Sequence, residues 1–128
     1  MSRFVAVGAV GVAGFFGAIA RYGLEGFVSQ RTGEFFPWGT FVVNITGSFV
    51  LGFLFATLVE GQSTMAPWLR TAITVGFVGA YTTFSTLTLE TFRLIEDGDL
   101  LRAAANSFGS LAAGLAAVYL GVVLGRVV

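Results

Sequence analysis

Between Gly76 and Glu90 the chain sets two glycines, Gly76 and Gly79, ahead of five hydroxyl residues, Thr82, Thr83, Ser85, Thr86 and Thr88, which surround Phe84 and follow Tyr81. The segment is otherwise apolar. Hydroxyls at this density can donate hydrogen bonds to an anion. A helix interrupted among them would free backbone carbonyls, which are good ligands for a cation. Two further polar groups interrupt apolar runs: Asn44, beside Thr46 and Ser48, and Asn106, followed by Ser107 and Ser110. In hydrocarbon every polar group needs an internal partner, so breakable polar stretches survive only against protein or a wet cavity. The pattern therefore points to a pathway or a binding site. Asn44 also admits a purely structural reading, an interhelical hydrogen bond that holds a bundle. Phe84 is one of fourteen phenylalanines, most of which would simply pack.

The elements that must position these residues are membrane helices. Of 128 residues, 55% are hydrophobic and only 11% charged, where a soluble domain carries about a quarter charged. Mean hydropathy is +0.86. A spanning helix needs about 20 residues, so four spans with short loops account for the chain as one membrane domain, 1–128. The chain has neither Cys nor His, which excludes disulfides, thiolate chemistry, the usual zinc sites and a histidine proton relay. With no Lys, no His partner for any Ser or Thr and no metal-ligand cluster, an enzyme is not expected. Net charge is zero, no signal for a nucleic-acid partner.

The first span is predicted at about 4–27. Gly8, Gly11, Gly14 and Gly17 recur along it as a stripe for close helix contact, and Arg21 sits near its end, able to snorkel or to bind an anion. A cleaved signal peptide is the other reading of this segment, with Ala18-Ile19-Ala20 as the cleavage site. Gln30 to Pro37 reads as a polar loop. The second span, about 38–59, begins at Trp38, a plausible interfacial anchor, and carries Asn44 between Gly39 and the pair Gly47 and Gly52. The third, about 67–94, starts at Pro67 and should break near 79–83. A charged loop with Gly98 as its turn residue precedes the fourth, about 102–127, where Asn106, Ser110 and Gly114 share a face and Gly121 and Gly125 make a weak G-x-x-x-G packing signal. Four short spans would be nearly filled by their own Phe, Leu and Val, so a pathway belongs at a subunit interface.

Arginine gives no orientation. Arg3, Arg70 and Arg126 fall on one side, and Arg21, Arg31, Arg93 and Arg102 on the other. The positive-inside rule needs a clear bias. Without one, insertion in both orientations and antiparallel pairing of two copies are expected.

Three ordered motifs, Gly17-Ala18-Ile19-Ala20-Arg21-Tyr22, then Trp38-Gly39-Thr40 with Val43-Asn44 and Gly47-Ser48, then Gly76-Phe77-Val78-Gly79 with Thr82-Thr83-Phe84-Ser85-Thr86, resemble those of the Fluc (CrcB-type) fluoride channels over essentially the whole chain. Glu90 stands where that family keeps a glutamate. The resemblance implies an all-α, dual-topology antiparallel dimer in the bacterial plasma (inner) membrane. It implies passive, fluoride-selective export that relieves fluoride toxicity, through two pores at the dimer interface. Asn44 and Phe84 would line the pore, Thr83, Thr86 and Ser110 would continue a polar track, and Arg21 would sit in an electropositive vestibule. Backbone carbonyls of Gly79 and Thr82 from both subunits would hold one structural sodium ion.

Two positions depart from the family pattern. Leu87 stands where a second Phe is expected, and Gly114 where Ser is common. They keep open a non-conducting subunit, or a heterodimer in which a homologue supplies the missing ring. A proton-coupled transporter is the remaining alternative, with Glu90 as the acid nearest the critical stretch. A small multidrug exporter would need a carboxylate well inside the first span, and no acid precedes Glu25 there.

Overall fold

The computed structural model describes residues 3–128 and is helical throughout, without strands among the described residues. Helix α1 is Arg3–Thr32, α2 is Trp38–Leu54 and α3 is Pro67–Thr71. The short α4, Gly79–Tyr81, is followed by α5, Phe84–Glu96, and α6, Leu100–Val127. Two wider π-helical stretches join the series: Phe55–Glu60 extends α2, and Ala72–Val78 links α3 to α4. The result is four segments long and apolar enough to cross a membrane, Arg3–Thr32, Trp38–Glu60, Pro67–Glu96 and Leu100–Val127. The protein is an integral membrane protein.

Local chemistry sets the ends. α1 runs through the stretch read as a loop from Gln30. Arg31 lies over the Phe27 ring at 3.7 Å, and Thr32 Oγ1 donates to the Val28 carbonyl, so the last turn is held from its own surface. Gly33, at φ 77°, then ends the helix by donating its N–H to the Ser29 carbonyl. This left-handed cap strongly favours glycine. Gly98 does the same work at φ 78° between α5 and α6. Asp99 caps α6 by accepting from the Arg102 N–H at 3.1 Å.

The bundle is inside out relative to a soluble protein. Its fully buried apolar residues are small, Val43, Ala56, Ala72, Val78, Ala103 and Ala117, while most Phe and Leu face outward. The interior is therefore not filled by Phe and Leu as the composition suggested. Close backbone approach fills it instead, as expected where lipid is as apolar as the helix. Of the α1 glycine stripe only Gly17 is tight, where a methyl would collide with the Phe77 carbonyl; Gly14 makes ordinary contact, and Gly8 and Gly11 face open space. The tightest seam joins α2 to α6, with Gly52 against Val118, Gly121 against Phe49 and Gly125 against Ala56. There the G-x-x-x-G spacing does mark a packing face.

The third span changes partner at its break. Its first half, α3 through α4, packs on α1, whereas α5 packs on α6. The break that permits this is Thr82–Thr83, both in extended conformation (φ −88°, ψ 160° and φ −149°, ψ 116°). It falls at the end of the predicted 79–83 window, since Gly79 to Tyr81 remain helical.

Candidate functional site

An α-helix interrupted in hydrocarbon strands N–H and C=O groups that water cannot reach. Here one side chain meets the need. Asn44 Oδ1 accepts from the Thr83 N–H at 2.8 Å, and Asn44 Nδ2 donates to the Thr83 carbonyl at 3.0 Å. Asn44 thus replaces a turn of helix with a side-chain pair, and the structural reading of this residue is correct within one chain. The same amide nitrogen carries a second N–H, and Asn44 borders a groove, so the structural role leaves one donor uncommitted.

Thr83 also caps α5. Its Oγ1 accepts from the Thr86 N–H at 3.3 Å and lies 3.0 Å from Thr86 Oγ1. Because the Thr83 and Thr86 N–H groups are directed to side chains, the carbonyls of Gly79 and Thr82 lose the donors four residues on that a continuous helix would give them. Two freed carbonyl oxygens per chain, at the broken segment, form a hard-oxygen donor set compatible with a small monovalent cation. Among the described residues there is no cluster of three His, Cys, Asp or Glu that could serve instead.

The groove encloses about 670 Å³ between α2, α5 and α6. Asn44, Thr83, Phe84, Leu87 and Ser110 all line it, together with Thr82. Three stretches far apart in sequence, at Asn44, at 82–87 and at Ser110, are therefore gathered on one surface. Phe84, the first residue of α5, is 78% exposed and stands at the rim. Ser110 is 6% exposed, and its Oγ has no hydrogen-bond partner in the protein. Leu87 and Gly114, the two departures from the family pattern, line the same groove. At Gly114 a methyl would lie 3.7 Å from Ser48 Oγ, so a side chain fits there. Gly47, by contrast, lets the break approach α2: a methyl on it would collide with Thr82 Cγ2 and press on the Tyr81 ring.

Not every hydroxyl of the rich stretch faces the groove. Ser85 and Thr86 lie outside it, and of the lining residues Thr82 Oγ1 donates back to the Val78 carbonyl and Thr88 Oγ1 to that of Ser85. Thr86 does not line the groove and reaches it only through Thr83. Arg21 and Gly79 also lie outside it. Arg21 Nε donates to the Ala80 carbonyl at 3.3 Å and its Nη1 pairs with Glu25 Oε2 at 3.2 Å. It clamps the helix end just before the break.

Sequence reasoning missed what stands beyond that clamp. Glu25 Oε1 lies 3.0 Å from Thr40 Oγ1, which in turn lies 2.9 Å from Glu90 Oε2. The spacing of Arg21 and Glu25, four residues apart on a helix, was the available signal. On the other flank Asn106, fully buried, donates from Nδ2 to Thr91 Oγ1 at 3.0 Å and ties α6 to α5.

Comparison with known proteins places this geometry in a family. The family model described as "CrcB-like protein, Camphor Resistance (CrcB)" matches residues 8–122. A protein of Opitutus terrae, named fluoride-specific ion channel FluC, is 46% identical over 114 residues, 88% of this chain and 86% of that protein. Proteins of the same name from Trichormus variabilis and Geotalea uraniireducens are 43% identical over 118 residues and 42% identical over 117, spanning 92% and 91% of this chain and 86% and 94% of their own lengths. The matched region reaches into all four spans and contains the break and the groove, and the chain belongs to the CrcB-like family.

Proposed function

We propose that this protein is a fluoride-selective channel of the inner membrane, exporting fluoride passively, with the groove beside the broken helix as one wall of the pore. The observation that carries the reading is Ser110: a buried hydroxyl without a protein partner, in the same groove as the uncommitted N–H of Asn44. A buried polar group left unpaired is costly unless something else pairs with it. Fluoride is small and strongly hydrated, so it enters hydrocarbon only where donors replace its water. Asn44 and Ser110 supply such donors, with Thr83 and Thr86 beside them. The edge of an aromatic ring is electropositive, so Phe84 at the rim attracts an anion weakly. Several weak sites in series allow an ion to enter and to leave.

The groove is open along one side, and a second copy in the opposite orientation would close it. The near-equal arginine distribution supports dual insertion. In that dimer the freed carbonyls of Gly79 and Thr82 from both chains would hold a structural sodium ion, which would supply a fixed positive charge between the breaks.

Fluoride efflux from liposomes containing this protein alone tests the reading. Flux well above empty liposomes, with chloride retained, supports it. Flux that disappears when a proton gradient is collapsed points instead to a coupled carrier. Labelling engineered termini from each side tests dual insertion, and labelling from one face only refutes it. A second reading, a non-conducting subunit or one half of a heterodimer, is favoured by Leu87 and Gly114, which remove a ring and a hydroxyl from the groove itself. Flux that appears only when a homologue is added would establish it.

A further inference from the structure

Thr40 is 1% exposed and its hydroxyl touches two carboxyl groups, Glu25 Oε1 at 3.0 Å and Glu90 Oε2 at 2.9 Å. A hydroxyl carries one hydrogen. It can donate to one of these oxygens; the other contact has no proton unless a carboxyl brings it. Both distances are hydrogen-bond lengths. Two carboxylates on one buried hydroxyl would instead leave a repulsive oxygen–oxygen contact.

The surroundings say which carboxyl brings the proton. Glu25 Oε2 pairs with Arg21 at 3.2 Å, so a charge on this carboxyl has a cation beside it. Glu90 has no cation partner among its contacts. Its second oxygen, Oε1, is buried without a hydrogen-bond partner. An unpaired carbonyl oxygen of a neutral acid is far less costly there than an unpaired oxygen of an anion. The other elements packed around the pair bring no rescuing charge: α2 presents Thr40, α6 presents Asn106 bonded to Thr91, and Arg102 is held by Asp99. Arg93 and Glu96 on α5 itself are exposed.

We propose that Glu25, Thr40 and Glu90 form a proton-binding site that holds a single proton on Glu90. Glu90 Oε2–H donates to Thr40 Oγ, Thr40 Oγ–H donates to Glu25 Oε1, and ionised Glu25 holds Arg21 against the Ala80 carbonyl. The proton comes from water and returns to it, and no other bond is made or broken. Glu25 is the positioning residue of this chain, because it fixes the arginine that clamps the helix before the break. It also borders an open hollow of about 550 Å³ with Tyr22, Gly26 and Ser29, which gives protons a route to the site. Depth agrees with such a route. Glu25 lies about 33 Å along α1 from Arg3 at ~1.5 Å per residue, close to the far edge of a hydrocarbon core of about 30 Å.

The site does not depend on fluoride conduction, and its test does not use flux. Infrared spectra of the purified protein near neutral pH, in water and in deuterium oxide, should contain the C=O stretch of a protonated carboxyl. Glu90→Gln should remove that band, while Thr40→Val should keep it and shift it, since the acid loses its acceptor. Glu90→Gln retains an N–H that can donate to Thr40, and gel filtration checks that it folds. Wild-type protein with no such band, or a band that survives Glu90→Gln, overturns the proposal.

Discussion

Replacing Asn44 with alanine tests the link between side chain and break most directly. The change removes two hydrogen bonds to Thr83, of 2.8 Å and 3.0 Å, and leaves the Thr83 N–H and C=O without partners. If unfolded membrane helices find substitute partners, each bond is worth about 0.6 kcal/mol, and the loss is roughly 1 kcal/mol. If both backbone groups are stranded, each costs about 1–3 kcal/mol and the loss reaches about 2–6 kcal/mol. The geometry favours the larger figure, because backbone groups in an extended break have no helix to return to. Unfolding monitored by loss of the gel-filtration peak, in denaturant or on heating, measures it. Thr46→Val is the comparator: it removes the 2.8 Å contact with Tyr81, an exposed hydroxyl pair two residues further along α2, and should cost less than about 1 kcal/mol. In liposomes Asn44→Ala should also abolish fluoride flux while the dimer stays assembled. A variant as stable as wild type would refute the account of the break; a stability loss with flux unchanged would confine Asn44 to structure.

Gly47→Ala should destabilise by about 1–3 kcal/mol, because its methyl would collide with Thr82 and the Tyr81 ring; the same denaturation assay reads it, and an unaffected protein would mean the break can move away from α2. Leu87→Phe restores an aromatic ring to the groove and should raise fluoride efflux if the missing ring limits conduction, whereas unchanged efflux would show that this chain conducts without it. Asp99 has its carboxyl held below the ordinary carboxylate range by the Arg102 backbone N–H and then by the Arg102 side chain. Its contribution is present above the ordinary carboxylate range and is lost as pH falls through the lowered value. Melting temperature against pH should therefore fall in acid in the wild type, and less so in Asp99→Asn, which keeps the cap but does not titrate.

Much of the frame was legible because the membrane restricts the options. Long apolar runs had to be helices, and the Gly79 to Thr83 stretch, with weak helix formers beside a cluster of hydroxyls, was the place for one to fail. The partners at the break were less legible. Asn44 read as pore or prop because a lone amide in a span is compatible with both, and the answer depended on whether Thr83 would lie opposite it. Arg21 looked free to bind an anion because its acceptors, the Ala80 carbonyl and Glu25, become neighbours only once α1 lies along the third span. Half of the glycine stripe on α1 was over-read: periodic small residues mark a face that can approach another helix, and at Gly8 and Gly11 no helix of the same chain does so.

The break, the groove and the freed carbonyls are one event seen from different sides. Asn44 takes the Thr83 N–H that a continuous helix would give to the carbonyl of Gly79, so that carbonyl loses its donor. Because the helix stops, α5 can leave α1 and lean on α6. That departure opens the wedge between α2, α5 and α6 into which Ser110 projects. Freed carbonyl acceptors and unpaired hydrogen donors thus occur together at one side-chain pairing, in an interior packed closely by Gly and Ala. A mutation that restored a continuous third helix would have to remove both at once, and no change confined to the groove could create the carbonyl set. The pairing of Asn44 with Thr83 is therefore the point on which the other features depend.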